Sequence, residues 1–259
     1  MFEFFERGAY YGLMSVLSVY LVDPVASGGL GFSKPAVGAI KSTIQPVLYA
    51  LPIVAGALAD RFGYKRMLLI AFALLGTGYA LSGSVRSYGL IFAALLVMAL
   101  GAGTFKPIVS GTIARVTNKD NSSVAFGMFY WSINLGATLF PLFLVTWMMK
   151  VSWPAVFFLS AASTGLMILP ALAAYKEPPR PQSSKSVAVV LKDAALVLTD
   201  FRFILMIVIY SGFWIMYFQM FDTVLWYLKA HVDMAPVDAA VNGGLVALGF
   251  SPVFKFDAQ

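Results

Sequence analysis

The run EFFERGAYYG, residues 3–12, places Glu3, Glu6 and Arg7 inside a segment otherwise apolar enough to enter a membrane. At helical spacing Glu3 and Arg7 are i,i+4 and so are Glu6 and Tyr10, which puts all four on one face. A charge at mid-bilayer costs about 2.5–3.5 kcal/mol on the insertion scale. Two acids and a base on one face of a spanning helix therefore call for a protein-lined, partly wet interior. The competing reading is that these side chains sit at the headgroups and snorkel. Lys106 argues against it. It interrupts a second apolar run, MALGAGTFKPIVSG, far from any basic loop, and precedes Pro107. Proline removes a backbone donor, so a break and an unpaired Gly103 carbonyl are expected there. Glu3 and Glu6 against Arg7 and Lys106 sum to zero charge, so the four read as one buried cluster.

The whole chain fits that setting. Of 259 residues 60% are hydrophobic and only 12% charged, too few for the surface of a water-soluble domain of this size. Aromatic residues at 15% suit belts at the two membrane interfaces. With no cysteine, disulfides and thiolate metal sites are excluded. The net charge of +6 lies in short loops, so it orients the chain and does not form a nucleic-acid surface. No cofactor or metal site is expected: the one histidine, His231, makes no ligand set, and no phosphate loop, HExxH, nucleophile elbow or dinucleotide fingerprint occurs. The chain reads as no enzyme, and no catalytic residue is assigned.

Apolar runs near the roughly 20 residues that cross a bilayer predict seven spans, over 2–21, 37–59, 67–84, 90–114, 124–148, 153–175 and 201–228. Alternate loops hold ten cations on one side, among them Arg61, Lys65, Arg115, Arg180, Lys185 and Lys192, and six on the other, among them Lys34, Lys41, Lys150 and Lys255. The richer side is expected to be cytoplasmic, with the N-terminus on that side of the plasma (inner) membrane. The organisation expected is all-α: a six-helix bundle over 1–175, a cytoplasmic linker over 176–200 containing KEPPRPQSSKS, a seventh helix over 201–228, and an extracytoplasmic tail over 229–259. Six spans, a basic linker and the start of a second set are how a two-bundle transporter begins. The abrupt start and the single later span suggest an N-terminal fragment that needs a missing C-terminal half. Pro46, Pro52 and Pro141 are expected to kink their spans.

Four motifs carry a family resemblance. The first span reads Glu3-Phe-Phe-Glu6-Arg7 and then Tyr10-Tyr11-Gly12, the fourth GTFKP around Lys106, the fifth FYWSINLG from Phe129 to Gly136, and GALADRFGYKR joins the second and third. In order and spacing they resemble the proton-dependent oligopeptide transporters of the major facilitator superfamily. That resemblance implies that superfamily's N-terminal bundle plus the first helix of its C-terminal half, acting by alternating access as a symporter that imports di- or tripeptides or a related small polar solute. The proton is then the coupling ion. Glu3, Glu6, Arg7 and Lys106 fall on the family's proton-coupling positions, and Tyr10, Tyr11 and Asn134 on its peptide site. Lys34 falls near the outer gate, with Asp233 as the expected acid, and Gly56, Asp60 and Arg61 on the loop motif that closes the inner side. Trp214 and Gln219 on the seventh helix are further candidates for lining the cavity.

The departures from the family bear on substrate. The position that usually holds an arginine for the peptide carboxylate is Met14, the acid expected on the seventh helix is Phe218, and the Asn after Lys-Pro is Ile108. Losing the arginine and the acid together is self-consistent, since either alone would be stranded in low dielectric. Asp222, one turn from Phe218, offers partial replacement, and Lys41 at similar depth is its expected partner. Two alternatives stand beside import: proton-driven efflux of an amphipathic compound on the same fold, and a truncated chain that transports nothing.

Overall fold

The computed structural model describes residues 1–179, 186–249 and 251. Arg180, Lys185 and Lys255, counted above for orientation, lie outside the described residues, as do parts of the expected linker and tail.

The first span is α1 (Phe2–Val22). Its 21 residues reach about 31 Å at the helical rise, enough to cross the hydrocarbon. Fourteen of the 21 are buried, Glu3 and Glu6 among them. Six further helical stretches among the described residues are long and apolar enough to cross a membrane by themselves. With α1, whose charges set it apart from those six, they match the seven spans expected.

Ser33 caps α2 (Lys34–Phe62), its hydroxyl accepting from the Ala36 N–H at 3.4 Å. Pro46 and Pro52 lie inside α2, which continues through both. Gly63 alone separates α2 from α3 (Tyr64–Ser84), and its φ of +101° is a conformation that a side chain would strain. Next, α4 (Tyr88–Val116) also continues past Pro107, so the break expected beside Lys106 does not form.

Pro141 behaves differently. After α5 (Ser122–Leu139) the backbone widens into a π-helical segment, Phe140–Val145, before α6 (Thr146–Met149) completes the span. The sixth span is split into α7 (Trp153–Gly165) and α8 (Ile168–Ala173). A short helix, α9 (Val187–Val197), capped by Ser186 and packed on α2, occupies part of the expected linker. The seventh span is α10 (Phe201–Phe218), a 3-10 turn over Gln219–Phe221, and α11 (Thr223–His231). It bends at Asp222, where φ and ψ are −134° and −87°. Finally α12 (Ala235–Ala247) gives the tail a helix of 13 residues, too short to span.

In the bundle α3 lies between α4 and α7, α2 packs on α4, and α1 on α5 and α7. Apolar side chains gain little by leaving lipid for one another, so close backbone approach drives such contacts. A Cβ on Gly78 would stand 2.5 Å from the Met98 nitrogen, and one on Gly101 2.7 Å from that of Leu75. Gly136 of α5 lies against the Phe4 carbonyl of α1 in the same way. The fully buried side chains, including Tyr20, Phe72, Tyr79, Phe105 and Phe157, fill the interior those contacts leave.

Candidate functional site

A cavity of about 470 Å³ opens between the six-helix bundle and the seventh span. From α1 it is lined by Arg7, Tyr10, Tyr11 and Met14, from α2 by Leu48 and Tyr49, and from α4 by Ala102 and Lys106. Trp214, Tyr217, Phe218 and Phe221 close the far side. The i,i+4 spacing read from the first motif is what turns Arg7, Tyr11 and the Tyr10–Met14 pair inward together.

The charges stand at one end of this cavity. Arg7 donates through Nε and Nη2 to the two Glu6 carboxylate oxygens, the second bond at 2.6 Å, and Glu6 has no exposed surface. Arg7 Nε also lies 3.6 Å from Glu3 Oε1. The other Glu3 oxygen is buried and accepts no hydrogen bond from a described residue. The guanidinium carbon stands 5.0 Å from the Tyr10 ring centre, so arginine is held between carboxylates and an aromatic face. Lys106 departs from expectation. It makes no hydrogen bond or ion pair with a described residue and presents its side chain to the cavity, with Glu3 and Glu6 within electrostatic range only.

Toward the C-terminal end of α1 a second polar cluster forms. Lys41 pairs with Asp222, and Ser18 sits between them, donating to Asp222 and accepting from Lys41 Nζ at 2.8 Å. Trp226 Nε1 donates to the Ser18 carbonyl at 3.2 Å, and Lys229 pairs with Asp23. Sequence reasoning joined Lys41 to Asp222 but missed Ser18, whose hydroxyl lies one turn beyond Met14 on the motif's own face. The expected Lys34–Asp233 pair is not brought together. Lys34 Nζ lies 5.2 Å from the Trp226 ring centre, whereas Asp233 accepts from the Ala235 N–H at 3.0 Å, a local turn bond at the start of α12.

At the elbow between α2 and α3 Asp60 meets Arg115, Oδ1 to Nη2 at 2.7 Å, and accepts from the Tyr64 hydroxyl at 2.8 Å. Arg61, expected as part of that contact, is exposed and stacks on the Phe62 ring at 5.5 Å. Arg115 lies one residue before the end of α4, which carries it to the α2–α3 elbow; its sequence position alone had marked it only as a topology signal. Gly56 faces Pro107 of α4, a Cβ there standing 3.9 Å from the proline ring. Glu177 was also missed. It accepts from the Tyr64 and Lys65 N–H groups at 2.6 and 2.9 Å and so caps α3 from a segment far along the chain.

Of the remaining substrate candidates, Trp214 lines the cavity and two do not. Asn134 on α5 is exposed and outside the lining. Gln219 turns back on its own helix, accepting from the Thr223 hydroxyl at 2.6 Å. Tyr217, between the two candidates Trp214 and Gln219, also lines the cavity, whereas Tyr49 was missed, since a tyrosine in an apolar span carries no signal of which face it takes. The two departures, Met14 and Phe218, both line the cavity.

Comparison with known proteins places this geometry. The model of the Major Facilitator Superfamily matches residues 4–256. The di-/tripeptide transporter of Lactococcus lactis subsp. lactis (strain IL1403) is 30% identical over 232 residues, 83% of this chain and 44% of that protein. Dipeptide and tripeptide permease A of Escherichia coli (strain K12) is 32% identical over 171 residues, 64% of this chain and 33% of that protein. A crystal structure of peptide transporter POT in complex with sulfate aligns with a TM-score of 0.63 at 26% identity, covering 96% of this chain and 50% of that one. The chain thus spans less than half the length of these two relatives. It belongs to the Major Facilitator Superfamily, and the proteins it resembles there are membrane transporters of small peptides.

Proposed function

We propose that this chain supplies the first six-helix bundle and the seventh helix of a proton-coupled symporter that imports di- or tripeptides, or a related small polar solute, by alternating access. Its second half completes the cavity, and the N-terminus lies on the cytoplasmic side of the plasma (inner) membrane. The observation that carries the reading is the ion cluster at the cavity wall: Glu6, wholly buried, is held by an arginine that itself lines the cavity. A proton taken by Glu6 frees Arg7, its neighbour on α1, from a partner in low dielectric and leaves the guanidinium at the cavity wall to pair elsewhere. Carboxylates this close to each other and to two cations exchange protons as one coupled group. Names of relatives support peptides as the cargo, two of them being di- and tripeptide transporters.

The test is proton uptake driven by an Ala-Ala gradient in proteoliposomes holding the complete transporter. Wild type acidifies the lumen and Glu6→Gln does not. Peptide uptake without proton movement in wild type sinks the coupling role. The aromatic wall of the cavity favours a second reading, proton-driven efflux of an amphipathic compound. Labelled dipeptide accumulating only against an outward proton gradient would select it.

A further inference from the structure

A second, smaller cavity of about 30 Å³ lies behind the wall of the first. Its ten lining residues all come from α1, α2 and α4, so its walls belong to the six-helix bundle itself. We propose that this chamber is a side-chain subsite, which takes the end of a straight aliphatic side chain of the substrate, with Met14 as the partition that admits it. The proposal rests on the peptide-transport reading above and adds to it which side chains the transporter favours.

The packing of the bundle explains why a chamber exists there. Helix α1 packs chiefly on α5 and α7, and α2 on α4, which leaves side chains alone to fill the space between α1 and α2. Seven of the ten lining residues are Leu, Ile or Met, among them Leu17, Ile44 and Met98. Lys41 also lines the chamber, but its Nζ is engaged by Ser18 and Asp222, so its methylene stem is what it offers. Apolar voids of this kind stay dry and take up small apolar groups.

Tyr10, Met14 and Leu48 line both cavities, so their side chains form the partition between them. Tyr10 is held in place, its ring under the Arg7 guanidinium and 5.3 Å from the Tyr11 ring centre. Met14 has no such tie, and an unbranched thioether side chain turns readily about three bonds. Its rotation joins the chamber to the main cavity. At roughly 10–15 Å³ for each small group, the chamber has room for about two methyl-sized groups. That selects the tip of an unbranched chain over a ring. Each methylene moved from water into such a site is worth about fourfold in affinity.

The experiment measures binding and proton-driven uptake of Gly-Ala, Gly-norleucine and Gly-2-aminooctanoic acid by the complete transporter. Wild type is expected to bind Gly-norleucine about tenfold or more tighter than Gly-Ala. Two substitutions at Ile44, which lines the chamber and not the main cavity, then move the preference in opposite directions. Ile44→Phe fills the chamber and is expected to lower the preference for norleucine about tenfold. Ile44→Ala deepens it and is expected to raise binding of the aminooctanoic peptide over the norleucine one about tenfold. If Ile44→Phe does not fold, the longer peptide on Ile44→Ala decides alone. Absence of a norleucine preference in wild type, or a preference that neither variant shifts while Gly-Ala still binds, overturns the inference and leaves the peptide reading standing. Failure of every dipeptide to bind wild type overturns both.

Discussion

The first and the seventh spans divide the labour in opposite ways. Three charges sit on α1, and two-thirds of the helix is buried. By contrast α10 has a single charge, Arg202, and no buried residue at all. In water the order would be reversed. In a bilayer apolar side chains gain nothing by leaving lipid, while charged ones are held only where protein surrounds them. Here α1 is buried because it packs on α5 and α7, whereas the faces of α10 stay open in a chain that spans less than half the length of its relatives. Among the described residues the ion pairs of α1 join Arg7 to Glu3 and Glu6 on the same helix, while Asp23, just past its end, pairs with Lys229 of the seventh span.

The comparison is broken most sharply at Glu6. Glu6→Gln is expected to bring proton-driven uptake to background and to flatten its dependence on pH, as read with a pH-sensitive dye in the vesicles. Leaving Arg7 without its charged partner also costs about 3–5 kcal/mol when a buried pair is broken by removing one member. A smaller loss sharpens the contrast between helix interiors: Gly78→Leu, at the α3–α4 contact, is expected to destabilise by about 3 kcal/mol or more through overpacking. Gly212→Leu on α10, where a Cβ meets nothing within 4 Å, stays within about 0.5 kcal/mol in the 259-residue chain. Thermal melts in detergent compare the two, and equal losses would end the distinction between the packed α3–α4 contact and the open α10. Next in size is the pair near the C-terminal end of α1. A double-mutant cycle on Lys41→Ala and Asp222→Ala is expected to return a coupling of about 1–3 kcal/mol. Smallest are the residues that do not meet. Lys34→Ala loses the face of Trp226, about 0.5–1 kcal/mol, and a Lys34/Asp233 cycle shows coupling near zero.

Length and hydropathy mark six of the spans, because both are imposed by the bilayer, and only the charges of α1 set it apart from those six. Helical periodicity likewise placed Glu3, Arg7 and Tyr10 on one face, a local property of one helix. What spacing cannot convey is how far one helix stands from the next. Lys106 is within range of the acids by sequence logic, yet α4 carries it into the cavity without a contact. Asp233 is not brought to Lys34, and its carboxylate accepts instead from the nearer N–H of Ala235. Proline was uneven in the same way: Pro46, Pro52 and Pro107 left their helices intact, whereas Pro141 opens a π-helical turn. The missing backbone donor is identical in each, so the outcome is set by neighbours the sequence does not name.

The Glu177 contact has a mechanical consequence. An acid from beyond the sixth span bonds to the first two amides of α3, where the helix dipole favours negative charge. Lys65 returns the favour, donating from its side chain to the Leu172 carbonyl at 2.8 Å. A pull on the chain after Pro179 therefore loads the elbow at Gly63 as well as α8, its neighbour in sequence. The segment after the sixth span is a tether with a defined point of attachment at the elbow where α2 meets α3, so a displacement of whatever follows it reaches both helices together.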